Sequence, residues 1–223
     1  MSKATLVRKI TRTDPDYPVN VTIALGRHSP AELQAIGEMS LLRQPTLALV
    51  CSLKCPGSII LATHIFATRT SRSGPVVVGG FHSPMERQCL DLLIRRRVPA
   101  VVCPARSIEK IRLPVAWKNA ISTNHLLVLS QFPPGRRRAT TEQALMRNEF
   151  VGALADQILI PHARPASKTE QLALKLMQMG KRVLTFHDNR NERLLQLGAQ
   201  PFDGLLHQND MTPSETTEAW FSI

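Results

Sequence analysis

Three consecutive arginines, Arg136, Arg137 and Arg138, close a segment that begins Ser130-Gln131-Phe132-Pro133-Pro134-Gly135. Two prolines stiffen such a loop, a phenyl ring offers a flat face to a base, and guanidinium groups meet phosphates. Proteins that grip single-stranded nucleic acid use this combination. Phe132 fits a second reading equally well, a ring plugging the core beneath a solvated basic loop, and the residues alone leave both open. Gly79-Gly80 follows an apolar run and precedes a helical stretch, so the backbone there could approach a phosphate closely or could simply turn. Arg147 and Asn148 lie in a helical stretch aimed at the same strand ends, where a guanidinium could clamp a phosphate bidentately; the alternative is a surface arginine. Ser167, just ahead of Lys168, is a natural helix N-cap, and an anion could share that position.

Other chemistries find little support. Cys51 and Cys55 stand four apart, but zinc needs about four ligands and no Cys/His cluster of finger spacing accompanies them. Reduced structural thiols are expected. The histidines are scattered with no HExxH and no Ser/His/Asp arrangement, although His82 and His162 stand at strand ends where they could titrate or bind phosphate. No GxxxxGK[ST] is present. The expectation is therefore no catalytic set, no metal and no cofactor.

Charge says where a partner would sit. The chain of 223 residues carries 28 Lys+Arg against 17 Asp+Glu, a formal net charge of +11. Ten of those cations and one acid, Glu109, fall between positions 95 and 138, whereas 203–223 holds four acids and no Lys or Arg. Segregated positive charge points to an anionic partner. The longest apolar runs, 45–52 and 75–80, are far below the roughly 18 to 20 residues that cross a bilayer. The N-terminus has no apolar segment of secretory length. No membrane association and a cytoplasmic location are expected.

The elements that must position these residues follow from hydrophobic pattern. Continuous apolar runs, the kind buried on both faces of a parallel sheet, predict strands at 46–51, 76–79, 100–103, 126–129, 157–160 and 182–185. Helical periodicity falls at 59–68, 84–96, 141–154 and 168–179, with Gly180 as a stop. Such alternation predicts an α/β fold with a mostly parallel central sheet, whose ligands bind at the carboxyl ends of the strands. Residues 1–43, with Pro-containing turns and a weak strand candidate at 19–25, are expected as an arm or cap packed on a core of 44–202. Residues 203–223 are expected as an acidic tail.

The order of features resembles the DNA-processing protein A (DprA/Smf) family. The likeness begins at Asp16-Tyr17-Pro18 and passes through Leu41-Leu42-Arg43-Gln44-Pro45. Its most specific pieces are Ser130-Gln131-Phe132-Pro133-Pro134-Gly135, similar to SEFPPG, and Arg147-Asn148-Glu149-Phe150-Val151-Gly152-Ala153-Leu154, similar to RNRxxAGL. Gly180-Lys181-Arg182-Val183 and the stretch to Ala199 complete it. The resemblance implies a Rossmann-like three-layer fold and a short member lacking the winged helix. It also implies binding of single-stranded DNA, or RNA, in a basic pocket without covalent chemistry, loading of a RecA-type recombinase, and a homodimer. By position it implies a pocket lined by Ser52, Phe132, Arg147, Asn148 and Ser167; Gly79, Gly80, Arg136, Arg137, Arg138 and Lys168 join them as candidates.

Departures from the family pattern matter. The family's VGSR loop reads Val50-Cys51-Ser52-Leu53, without the glycine and the pocket arginine, which leaves Lys54 to supply charge. The GGARGID loop reads Gly79-Gly80-Phe81-His82-Ser83-Pro84 and has lost its acidic residue. Three readings stay open: a nucleic-acid binder in which the arginine clusters at 136–138 and 95–97 replace lost contacts, a sensor of a nucleotide-derived ligand, and a degenerate structural subunit.

Overall fold

A computed structural model describes residues 6–202. In chain order the elements are β1 (Arg8–Thr11), α1 (Val19–Leu25), β2 (Glu32–Ile36), β3 (Thr46–Leu49), α2 (Gly57–Arg69), β4 (Val76–Gly79), α3 (Pro84–Arg95) and β5 (Ala100–Val102). They continue with α4 (Val115–Ser122), β6 (Leu126–Ser130), α5 (Thr141–Leu154), β7 (Gln157–Leu159), α6 (Lys168–Gln178), β8 (Arg182–Thr185), α7 (Glu192–Gln196) and β9 (Gln200–Pro201). All nine strands form one sheet in the order β1-β2-β6-β5-β4-β3-β7-β8-β9. β1 and β2 pair antiparallel with each other, and β2 pairs antiparallel with β6. Every pairing from β6 to β9 is parallel.

Period-two alternation within the central strands builds three layers. Ala48, Val50, Val76, Val78 and Val101 join one core with Phe150, Val151 and Leu154 of α5 and Leu172, Ala173 and Leu176 of α6. Their neighbours Leu47, Leu49, Val77, Ala100 and Val102 face the other way, onto Ile59 and Phe66 of α2 and Cys89, Leu90 and Leu93 of α3. Burial on both faces is why these strands read as unbroken apolar runs.

Two departures from expectation fall near the N-terminus. Residues 19–25, expected as a strand, form α1. A single residue of it, Val21, is buried, while Val19 and Ile23 stay exposed. The Asn20 amide donates to the Leu154 carbonyl at 3.4 Å and to Asp156 Oδ1 at 2.9 Å, so docking on the end of α5 overrides the β-branched composition. β2 hid behind its polar residue: buried Gln34 accepts the Ile108 N–H at 2.9 Å, with Oε1 as the acceptor. Residues 8–36 thus extend the sheet itself. The expected acidic tail at 203–223 lies outside the described residues.

The topology gathers the candidate loops. The chain steps from β3 through β4 and β5 to β6 on one side, then returns to lay β7 and β8 on the other side of β3. The carboxyl ends of these strands form one rim, and the order of succession reverses between β3 and β7.

Candidate nucleic-acid interface

At the reversal point the rim is tied across. Ser52, after β3, donates its hydroxyl to the His162 carbonyl at 2.9 Å and lies 3.1 Å from Thr169 Oγ1 in α6. The His162 ring is buried, with Nδ1 2.9 Å from Asn191 Oδ1. Ser167 caps α6 by accepting the Glu170 N–H. Glu170 in turn accepts the Ala166 N–H at 3.0 Å and pairs with Arg193 at 2.7 Å, and this guanidinium holds its carboxyl below the usual carboxylate range. Lys54 and Lys168 reach solvent on either side.

Next to it, the Gly79-Gly80 turn is covered. The Arg147 side chain is 6% exposed; its Nη1 donates to the Cys103 carbonyl at 3.2 Å and its Nε to Asn148 Oδ1 at 2.8 Å. A Cβ at Gly80 would overlap that guanidinium, so any larger residue there would have to displace the Arg147 side chain from its place over the turn. Burial pushes the Arg147 pKa below its ordinary value, and the charge of Glu86 opposes that shift. Gly79 is buried, and Phe81, held at φ 46°, turns its ring back under the loop into the core.

The acid missing from the turn is supplied from α3. Glu86 is 6% exposed, and its Oε2 accepts the His82 N–H at 3.0 Å and the Ser83 N–H at 2.8 Å. Its Oε1 accepts the Cys51 N–H of the neighbouring loop at 3.2 Å. Ser83 Oγ accepts the Glu86 N–H in return, completing a capping box. The capping-box spacing Ser83-Pro84-Met85-Glu86 is visible in the sequence, but it announces a helix start and not the contact with Cys51.

Over β5 and β6 the rim is open. Residues 104–114 and 130–140 are laced together: Ser130 Oγ donates to the Arg106 carbonyl at 2.7 Å, the Ser107 N–H to the Arg136 carbonyl at 2.9 Å, and the Gly135 N–H to Glu109 Oε1 at 2.8 Å. Arg106, Lys110, Arg112, Arg136, Arg137 and Arg138 are all exposed on this pair of loops, and among the described residues none makes an ion pair. Glu109 is the one acid among them. Three buried polar atoms in the same loops, Ser107 Oγ, Glu109 Oε2 and Gln131 Nε2, have no hydrogen-bond partner among the described residues. Arg106, Lys110 and Arg112 belong to the charge run at 95–138, which is the one signal in the sequence that points to them.

Two expected contributors are elsewhere. Phe132 is 5% exposed, so its ring belongs to the core and presents no face to a base. Residues 95–97 stand at the far end of α3, a helix of 12 residues that runs back from the carboxyl rim and ends at Arg95. They lie toward the amino ends of the parallel strands, a helix length away from the Gly79-Gly80 loop whose contacts they were expected to replace.

Burial raises the pKa of all four thiols, Cys89 and Cys103 to about 12, so none is a thiolate near neutrality. Among the described residues no group of three or more His, Cys, Asp or Glu could hold a metal ion, and no helix is long and apolar enough to cross a membrane. A cavity of about 500 Å³ lined by Pro45, Thr46, Phe66, Pro75 and Phe202 lies at the amino ends of the strands, away from this rim.

A family model described as DNA recombination-mediator protein A matches residues 8–204. DNA processing protein A from Streptococcus pneumoniae superposes with a TM-score of 0.72 at 18% identity, covering 92% of this chain and 75% of that one. DNA processing protein A from Helicobacter pylori, described by its structure as having a unique single-stranded DNA binding mode, superposes with a TM-score of 0.69 at 20% identity, covering 90% of this chain and 93% of that one. Comparison with curated proteins gives no match.

Proposed function

This chain belongs to the DNA recombination-mediator protein A family, and from that premise we propose that it binds single-stranded DNA without covalent chemistry. Phosphates are met by Arg136, Arg137 and Arg138 together with Arg106, Lys110 and Arg112, and Lys54 and Lys168 extend the basic rim toward β3 and β7. The observation that carries this reading is six exposed cations, without acidic partners among the described residues, on two laced loops at the carboxyl ends of β5 and β6. A sensor of nucleotides is less favoured, because the Gly79-Gly80 turn and the first turn of α6 are taken up by Glu86, Arg147 and Glu170. We further propose that it works in the cytoplasm as a homodimer and hands DNA to a RecA-type recombinase, a reading that family membership supports.

Titration of a labelled oligothymidylate at several ionic strengths tests the proposal. Six phosphate contacts give a log–log salt slope of about −4, so affinity falls roughly 300-fold over a fourfold salt rise. A slope near zero, or tighter binding to a duplex of the same length, would overturn it. Size measurement by light scattering, with and without a RecA-type recombinase, tests the two protein partners.

A further inference from the structure

In a Rossmann-like sheet the loops after the first two parallel strands and the helix that follows offer unpaired N–H groups to an anion. Here those groups converge on a side chain. Cys51 N–H, from the loop after β3, and His82 and Ser83 N–H, from the loop after β4, all donate to the two oxygens of Glu86 at 2.8 to 3.2 Å. A buried guanidinium, Arg147, stands over the same turn. Three N–H donors, a helix N-terminus and an arginine are what a phosphate monoanion or dianion would ask for, and a carboxylate already holds the position.

We propose that Glu86 is a resident surrogate for phosphate: it closes the strand-tip cradle to nucleotides and nucleic-acid phosphates and so sets the specificity of the fold. The inference refines the reading of the chain as a DNA binder by routing the strand over the β5 and β6 loops, with no backbone phosphate seated between Cys51 and Ser83. Its physical basis is exclusion. A phosphate could enter only by displacing Glu86, which would leave the three N–H groups to the newcomer but would strand a buried carboxylate beside a second anion. The charge of the same carboxylate opposes that of Arg147, so the wild-type cradle attracts an anion less than its donors alone would.

The experiment uses the full chain and two probes, inorganic phosphate and thymidine 5′-monophosphate, with ionic strength matched by chloride. Wild-type protein should show no change in Tm with either. Glu86→Ala, which removes the carboxylate and leaves the donors and Arg147, should acquire an anion site and rise by about 3–5 °C at tenfold its dissociation constant for the nucleotide. Stabilisation of the wild type by either probe overturns the proposal, as does a folded Glu86→Ala protein that ignores both. Should that variant fail to fold, amide resonances of the wild type decide. Cys51, His82 and Ser83 should stay fixed on addition of oligonucleotide and of the mononucleotide, while residues 136–138 move with the oligonucleotide. Movement of the three cradle amides overturns the inference. Failure of oligonucleotide to bind anywhere counts against the function proposed above and leaves the mononucleotide result to judge this one.

Discussion

Over β3, β4 and β7 the carboxyl rim is lined by polar groups that already hold one another, whereas over β5 and β6 it carries six cations that pair with no acid among the described residues. Ser52, Arg147, Glu86, Ser167 and Glu170 each spend their hydrogen-bonding capacity on the chain itself. Arg136, Arg137, Arg138, Arg106, Lys110 and Arg112 face water. The difference teaches that residue type at a strand tip does not make a ligand site. A buried polar group with its partners in place is structure, and replacing it costs stability; an exposed unpaired one is available, and replacing it costs affinity.

Substitutions that separate the two currencies test this contrast most sharply. The largest effect is expected at Phe132. Truncation of a fully packed ring to alanine costs about 3–5 kcal/mol, so Phe132→Ala should lower the denaturant midpoint severely while the folded fraction, assayed cold, binds oligonucleotide as before. Undiminished stability with weakened binding would put the ring back on the DNA. Next comes the triple change of Arg136, Arg137 and Arg138 to Ala. It should reduce low-salt affinity roughly a hundredfold and bring the salt slope from about −4 to about −2, with Tm unchanged. A slope that stays put would move the DNA toward β3. A smaller loss, about 1–2 kcal/mol of stability with no change in affinity, is expected for Ser52→Ala, whose hydroxyl joins the loop after β3 to His162 and Thr169. Any loss of affinity beyond that would mean that the crevice at the sheet reversal opens to a ligand.

The central sheet was legible because its strands are buried on both faces and bounded by glycine and proline. β4 and β8 fall on 76–79 and 182–185 as read, and α5 on 141–154. What escaped depends on tertiary partners. β2 carries a buried glutamine that makes sense only beside Ile108, and α1 is a helix because Asn20 finds Leu154 and Asp156. The candidate residues were legible as types and not as states. The Gly79-Gly80 turn and Arg147 do converge, as their places on strand and helix implied, yet nothing local announced that Glu86 would fill the space between the loops. The capping-box spacing Ser83-x-x-Glu86 was the available signal; its second task, accepting Cys51 N–H from another loop, is a matter of sheet order.

The smallest effect is the most discriminating for the role of net charge. Arg95, Arg96 and Arg97 contribute three of the cations that make the chain basic, but α3 places them about 18 Å, twelve residues at 1.5 Å each, from the Gly79-Gly80 loop. At physiological ionic strength the Debye length is about 8 Å, so charges at that distance are screened from DNA on the opposite rim. Replacement by Gln, Gln and Asn, the last because Arg97 sits at φ 56° where asparagine is tolerated, should therefore leave the affinity within about twofold at 0.15 M salt. At 0.01 M the Debye length grows to about 30 Å, and the same variant should bind more weakly, through a slower association rate and an unchanged dissociation rate. A loss that persists at 0.15 M and appears in the dissociation rate would mean that the strand touches those arginines, and the path of the DNA would have to wrap the helical face of the sheet rather than follow its carboxyl rim.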